Sequence, residues 1–183
     1  VSNGGIHSHQ SHLEHLCNII YSKGLNNIFV HAFIDGRDTD PKSGLNSIKN
    51  LKKNIAHTNV KIASIVGRYY AMDRDKRWNR IEKAYNLLVH GEGEKFKCPL
   101  EAIKSSYNNN ITDEFILPKI ICKGNSPLTT INNGDVVLCF NFRTDRCRQI
   151  TEVLTQKTSL HLGMKPIEIK YSSMTNYDAN FKH

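Results

Sequence analysis

Of the eight arginines in this chain, the informative ones are set apart by their position. Arg37 follows the apolar run Asn27 to Ile34 (NIFVHAFI), Arg68 follows Val60 to Val66 (VKIASIV), and Arg143 follows Asp135 to Phe142 (DVVLCFNF). Arg74 and Arg146 come a few residues later in the same connecting segments. A guanidinium group offers a planar fork of donors that matches carboxylate and phosphate oxygens, so five of them brought together would hold a small, multiply anionic guest. Like charges at close quarters must be answered, and Asp38, Asp73 and Asp145 are placed to supply part of the answer, with a bound anion supplying the rest. Any one of these arginines alone reads most simply as a loop brace paired with a neighbouring aspartate. Three junctions ending alike point to an anion site, without naming the anion.

Two further residues bear on the chemistry. His7 lies in the turn Asn3-Gly4-Gly5-Ile6-His7, where glycines permit close approach of backbone to a ligand. Asp38, between cations in Asp35-Gly36-Arg37-Asp38, has the chemistry to orient or deprotonate a hydroxyl, and the plainer reading is a salt bridge or cap. His7, His9, His12 and His15 invite a metal site, but no full ligand set stands at the usual spacing, so packed or solvated helix histidines are expected beyond His7 and no metal ligand is assigned. His31 and Trp78 read as packing residues.

The elements that must position these groups follow from periodicity. Asn27–Ile34, Val60–Val66 and Asp135–Phe142 read as strands, each followed by a helical pattern: Leu45, Ile48, Leu51 and Ile55; then Trp78, Ile81, Tyr85 and Leu88 up to Gly91; then Ile150, Val153 and Leu154. Leu13, Leu16, Cys17 and Ile20 give His9–Ser22 an amphipathic helix. Pro99–Tyr107 reads as a short helix, Glu114–Cys122 as a strand that Pro118 assigns to a sheet edge, Ile167–Met174 as a last strand, and Val1–Gly5 as a strand entering a turn. Strands alternating with helices predict an α/β fold: a three-layer sandwich with a largely parallel sheet and helices on both faces. In such sheets ligands bind beyond the carboxyl ends of the strands, where the arginines stand.

The totals set bounds. The 183 residues suit one domain, 1–183, and 39% hydrophobic residues with both charge signs describe an ordinary globular chain. No apolar run has the roughly 18 residues needed to span a bilayer, and the first residues lack a signal-peptide pattern, so no membrane partner and a cytoplasmic location are expected. Beginning at Val1 in mid-pattern, the chain reads as a piece of a longer protein. Five scattered cysteines predict reduced, mostly buried thiols. The net charge of +8 raises a nucleic-acid-binding module as an alternative, as does the scaffold a stand-alone sugar-phosphate or phosphatase domain. Most of the 17 lysines lie on polar helix faces, and Tyr69 and Tyr70 alone pair aromatics beside an arginine, so no nucleic acid is expected.

Taken in order, Ser2-Asn3-Gly4-Gly5-Ile6-His7-Ser8-His9, HAFIDGRDTDPKSG, GRYYAMDRDKRWNRIEKAY, LVHGEG, TDEFILP and NFRTDR make the chain resemble, up to about Leu154, the substrate-binding domain of cofactor-independent phosphoglycerate mutases. The resemblance implies a domain inserted into an alkaline-phosphatase-like catalytic domain. That catalytic domain would be the partner within the same parent chain, and would carry two manganese ions and a serine nucleophile. This segment would then bind no cofactor itself. The resemblance implies that His7, Arg37, Asp38, Arg68, Arg74, Arg143 and Arg146 contact phosphoglycerate, with Asp38 exchanging protons with the hydroxyls and His7 near the transferring phosphoryl group. The glycerate would stay clamped while the phosphoryl group is parked on the serine, so the segment alone should be inactive. Asn3 stands where the family usually has Asp, and Thr144, where Pro is common, is expected to cap the following helix.

Overall fold

The computed structural model describes residues 1–156 and 162–181. Its elements run α1 (Gln10–Ser22), β1 (Phe29–Ile34), α2 (Gly44–Asn54), β2 (Lys61–Gly67), α3 (Arg68–Ala71), α4 (Trp78–His90), β3 (Glu94–Phe96), α5 (Pro99–Asn108), β4 (Lys119–Lys123), β5 (Ser126–Pro127), β6 (Val136–Cys139), α6 (Arg148–Thr155) and β7 (Lys170–Ser173). Helix α1 begins where expected because His9 is its N-cap, with its side chain accepting from Ser11 N–H. Helix α4 ends at Gly91, whose left-handed φ of 67° closes the last turn at no steric cost.

The main sheet has the order β1-β2-β4-β3, with β5 beside β4. β1 and β2 are parallel, as are β3 and β4, while β4 runs antiparallel to β2 and to β5. β2 is buried along six of its seven residues, as a strand covered on both faces must be. One face packs Val66 and Ile120 against Ile81, Ala84 and Leu88 of α4 and Ile150 and Val153 of α6. The other face packs Val30, Ala32, Ile34 and Ile65 against Leu13 of α1, Ile48 and Leu51 of α2 and Ile103 of α5. Helix, sheet, helix is the expected sandwich. Each fully buried Ile or Leu in it contributes about 1.5–3 kcal/mol.

Four local readings are corrected. The strand after Pro118 is not an edge: β4 lies between β2 and β3. Pro118 stands just before it and gives only its carbonyl, to Glu94 N–H, so its missing donor costs nothing. Glu114 and Phe115, read as the start of that strand, belong instead to a single 3₁₀ turn, Asp113–Phe115. Val1–Gly5 forms no strand; the terminal ammonium bonds Phe33 O and the segment crosses the end of β1. The third strand, β6, does not join the main sheet but pairs in parallel with β7.

Candidate functional site: an arginine shelf at the strand ends

Arg68 is the first residue after β2, and its side chain is only 3% exposed. Its Nη1 lies 2.6 Å from Asp35 Oδ1 and 2.5 Å from Asp38 Oδ2, and its Nη2 lies 3.0 Å from His7 Nε2. Asp35 directly follows β1 and organises the turn there, accepting from the N–H groups of Arg37 and Asp38 and from the Ser2 hydroxyl. Burial opposes its ionisation, but the Asp38 N–H, the Ser2 hydroxyl and Arg68 prevail and hold its pKa down at about 2. The Asp35 carboxylate is the one central residue that the arginine pattern did not single out. Its signal was local: an Asp followed by Gly and two N–H groups is an Asx turn at a strand end.

The loop after β6 reaches the same place because Phe142 N–H bonds His7 O at 2.9 Å, tying it to the N-terminal segment. On it, Asp145 takes Arg74 Nη1 at 2.8 Å on Oδ2 and has Arg143 Nε 3.1 Å from Oδ1, with His7 Nδ1 3.7 Å away. Arg146 bonds Met72 O, and its Nε is buried without a hydrogen-bond partner. Burial, then the positive charges of Arg68, Arg74 and Arg37, lower its pKa. The charges of Arg68, Arg74 and Arg37 all reach Arg146, and Arg74 and Arg143 meet at Asp145, so the five arginines share one neighbourhood, an arginine shelf. Arg37, 60% exposed, rests a guanidinium nitrogen 3.4 Å from Glu114.

His7 is buried, and its pKa is pushed down to about 4, first by desolvation and then by Arg68. Asp38, 3.6 Å from His7 Nε2, shares Arg68 with Asp35. The seven residues singled out in the sequence therefore lie together. Asp73 does not join them as a counter-charge: it is turned to Arg77 and Arg80 and to the N–H groups of Asp75 and Arg77. Nor does Thr144 cap α6, whose N-cap position is Cys147. Behind His7 and Arg68 is a recess of about 270 Å³, open mouth included, lined by Val1, Ser2, Phe33, Asp35 and Met72.

Among the described residues no group of three His, Cys, Asp or Glu could hold a metal ion. His9 Nδ1 contacts Ser11 Oγ and His15 Nδ1 contacts Ser11 O. The five cysteines are free thiols, three of them buried. Tyr69 is stacked under Arg80, 3.7 Å from its ring centroid, and against Phe115. No helix among the described residues is long and apolar enough to cross a membrane.

Residues 1–179 match the family model described as BPG-independent PGAM N-terminus. The chain belongs to this family. Among the relatives of the BPG-independent PGAM N-terminus domain, the 2,3-bisphosphoglycerate-independent phosphoglycerate mutase of Flavobacterium psychrophilum is 50% identical over 184 residues, covering 100% of this chain and 36% of the relative. That of Clostridium kluyveri is 47% identical with the same coverage. A solved structure of Leishmania mexicana phosphoglycerate mutase superposes with a TM-score of 0.90 at 30% identity, over 98% of this chain and 35% of that one. The chain thus spans about a third of the length of the relatives it matches.

Proposed function

We propose that this domain is the substrate clamp of a 2,3-bisphosphoglycerate-independent phosphoglycerate mutase, a glycolytic isomerase acting in the cytoplasm. The observation that carries the reading is the gathering of arginines from three strand-to-helix junctions around His7 and Asp38, with Arg68 on both of them and Arg74 and Arg143 on Asp145 beside His7. Three of the arginines, Arg37, Arg74 and Arg143, are 60%, 44% and 46% exposed, so they can turn to the oxygens of a phosphoglycerate, while buried Arg68 fixes the floor. Asp38 has one carboxylate oxygen on Arg68 and is placed to exchange a proton with a glycerate hydroxyl. His7, neutral at physiological pH, would stand beside the transferring phosphoryl group.

The bond-breaking machinery belongs, on this reading, to a companion domain of the same parent chain. The two manganese ions would sit there, supplying a Lewis acid for phosphoryl transfer, since the donor set of the shelf is dominated by cations that repel metal ions. The clamp's contribution is to keep the glycerate from diffusing away between two transfers.

Calorimetric titration of the 183-residue chain with 3-phosphoglycerate tests the reading. Saturable one-to-one binding, weaker for glycerate or inorganic phosphate and weakened by Arg143→Ala, is expected, together with no formation of 2-phosphoglycerate. Binding of a DNA duplex in preference to phosphoglycerate, with the steep salt dependence of counterion release, would overturn it.

A further inference from the structure

The His7 ring is held from one side. Arg68 Nη2 lies 3.0 Å from its Nε2, and a guanidinium group has donors only. Nε2 therefore presents its lone pair to Arg68, and the proton of the neutral ring sits on Nδ1. That Nδ1 is buried and has no hydrogen-bond partner. Facing it at 3.7 Å is Asp145 Oδ1, which is also buried and also without a hydrogen-bond partner. Buried polar atoms are nearly always paired in folded proteins, so an orphan donor facing an orphan acceptor is a pair that a small movement would join.

We propose that Asp145 is a positioning residue for His7, accepting its Nδ1 proton once an anionic ligand draws Arg74 and Arg143 outward. This rests on the reading of the shelf as a phosphoglycerate clamp. In the free domain the Asp145 carboxylate is taken up by cations: Arg74 donates to Oδ2 at 2.8 Å, and Arg143 Nε lies 3.1 Å from Oδ1 without aiming a hydrogen bond at it. Both guanidinium side chains are nearly half exposed, at 44% and 46%, and are free to turn to ligand oxygens, as Arg68 is not. Once they turn, the imidazole is the donor facing Oδ1, with Arg146 the nearby cation that remains, and a movement of about 1 Å brings Oδ1 to hydrogen-bond distance. The charged groups facing His7 are Arg68, Asp38, Asp145 and Arg143. Of these, Asp145 alone faces Nδ1 with an acceptor, so it fixes the orientation of the imidazole ring that Arg68 holds from the other side.

A long-range proton–nitrogen spectrum of the whole 183-residue chain at pH 7 tests this, recorded free and with 3-phosphoglycerate for the wild type, Asp145→Ala and Asp145→Asn. The wild type is expected to show His7 protonated on Nδ1 in both states. On binding, that proton should move downfield and exchange with water about tenfold more slowly, as a newly protected group does. In Asp145→Ala the Nε2 signal should persist, because Arg68 remains, while the protection on binding disappears. The volume-conserving Asp145→Asn, judged folded by its backbone amides, should lose most of it. Protonation on Nε2 in the wild type, or equal protection in the variants, overturns the role. Arginine shifts without His7 protection leave the clamp standing and sink only Asp145. If 3-phosphoglycerate shifts no arginine, the clamp reading fails; inorganic phosphate then serves as the probe, and protection that depends on Asp145 still supports the role, whereas no protection overturns it.

Discussion

Asp35, in the turn after β1, and Asp113, in the 3₁₀ turn packed against that turn at Gly36, carry opposite tendencies. Asp35, on the shelf, is held at about 2 because charged and neutral donors together outweigh its burial. Asp113, in the turn braced behind the shelf, is fully buried, and its hydrogen-bond donors are neutral: Gly44 N–H at 2.7 Å and the Tyr107 hydroxyl at 2.5 Å. Burial therefore wins there, and its pKa is raised. Withdrawal from water alone does not decide a carboxylate's state; the balance of donors and neighbouring charge does, with Arg68 adding to the neutral donors at Asp35 while Asp40 and Asp35 count against ionisation of Asp113. The shelf is a region of charges kept in reserve, and the brace behind it is a packed joint. Gly67 shows how tight that joint is, for a Cβ there would fall 2.6 Å from the Glu114 carbonyl carbon.

The contrast can be broken at its strongest point, Arg68, which serves both regions. Arg68→Met leaves Asp35 and Asp38 without their buried cation and should cost about 3–5 kcal/mol of stability, read by urea denaturation, along with ligand binding. Asp113→Ala, which strands the Gly44 N–H and the Tyr107 hydroxyl, should cost roughly 3 kcal/mol, with binding intact in whatever fraction stays folded. A similar loss of affinity in the folded fraction would mean that brace and shelf are one unit.

The pH dependence sharpens the same comparison. Asp35 has a folded pKa of about 2, below its ordinary 3.8, so its contribution is fully present above about pH 4 and is lost as pH falls through 2. Asp35→Asn should remove about 2 kcal/mol of that dependence from unfolding curves measured between pH 4.5 and 2. Asp113, raised instead of lowered, contributes with the opposite sign, and Asp113→Asn should not flatten the slope. The smallest effect on stability is expected at Arg37, exposed to solvent: Arg37→Ala should change stability by less than about 0.5 kcal/mol while weakening ligand binding about tenfold.

Much of the shelf was legible in the sequence because strand ends, glycines and arginines leave local marks, and Arg37, Arg68 and Arg143 each follow an apolar run. Helix boundaries at His9 and Gly91 were legible for the same reason, since caps are local. The brace was not. Asp113 meets Gly44 and Tyr107 through tertiary contact, and its sequence neighbourhood reads as one more polar loop. Pro118 misled for a related cause: proline marks a missing donor, but only the topology shows that no donor was required at that point. Asp73 likewise lay close to the shelf arginines in sequence, and nearer partners, Arg77 and Arg80, claimed it.

The most direct test is to follow the side-chain Nε–H resonances of Arg37, Arg68, Arg74, Arg143 and Arg146 while 3-phosphoglycerate is added. A single shared cradle requires all five to move along one saturation curve. Shifts confined to one or two arginines, or five curves with unrelated midpoints, would contradict it.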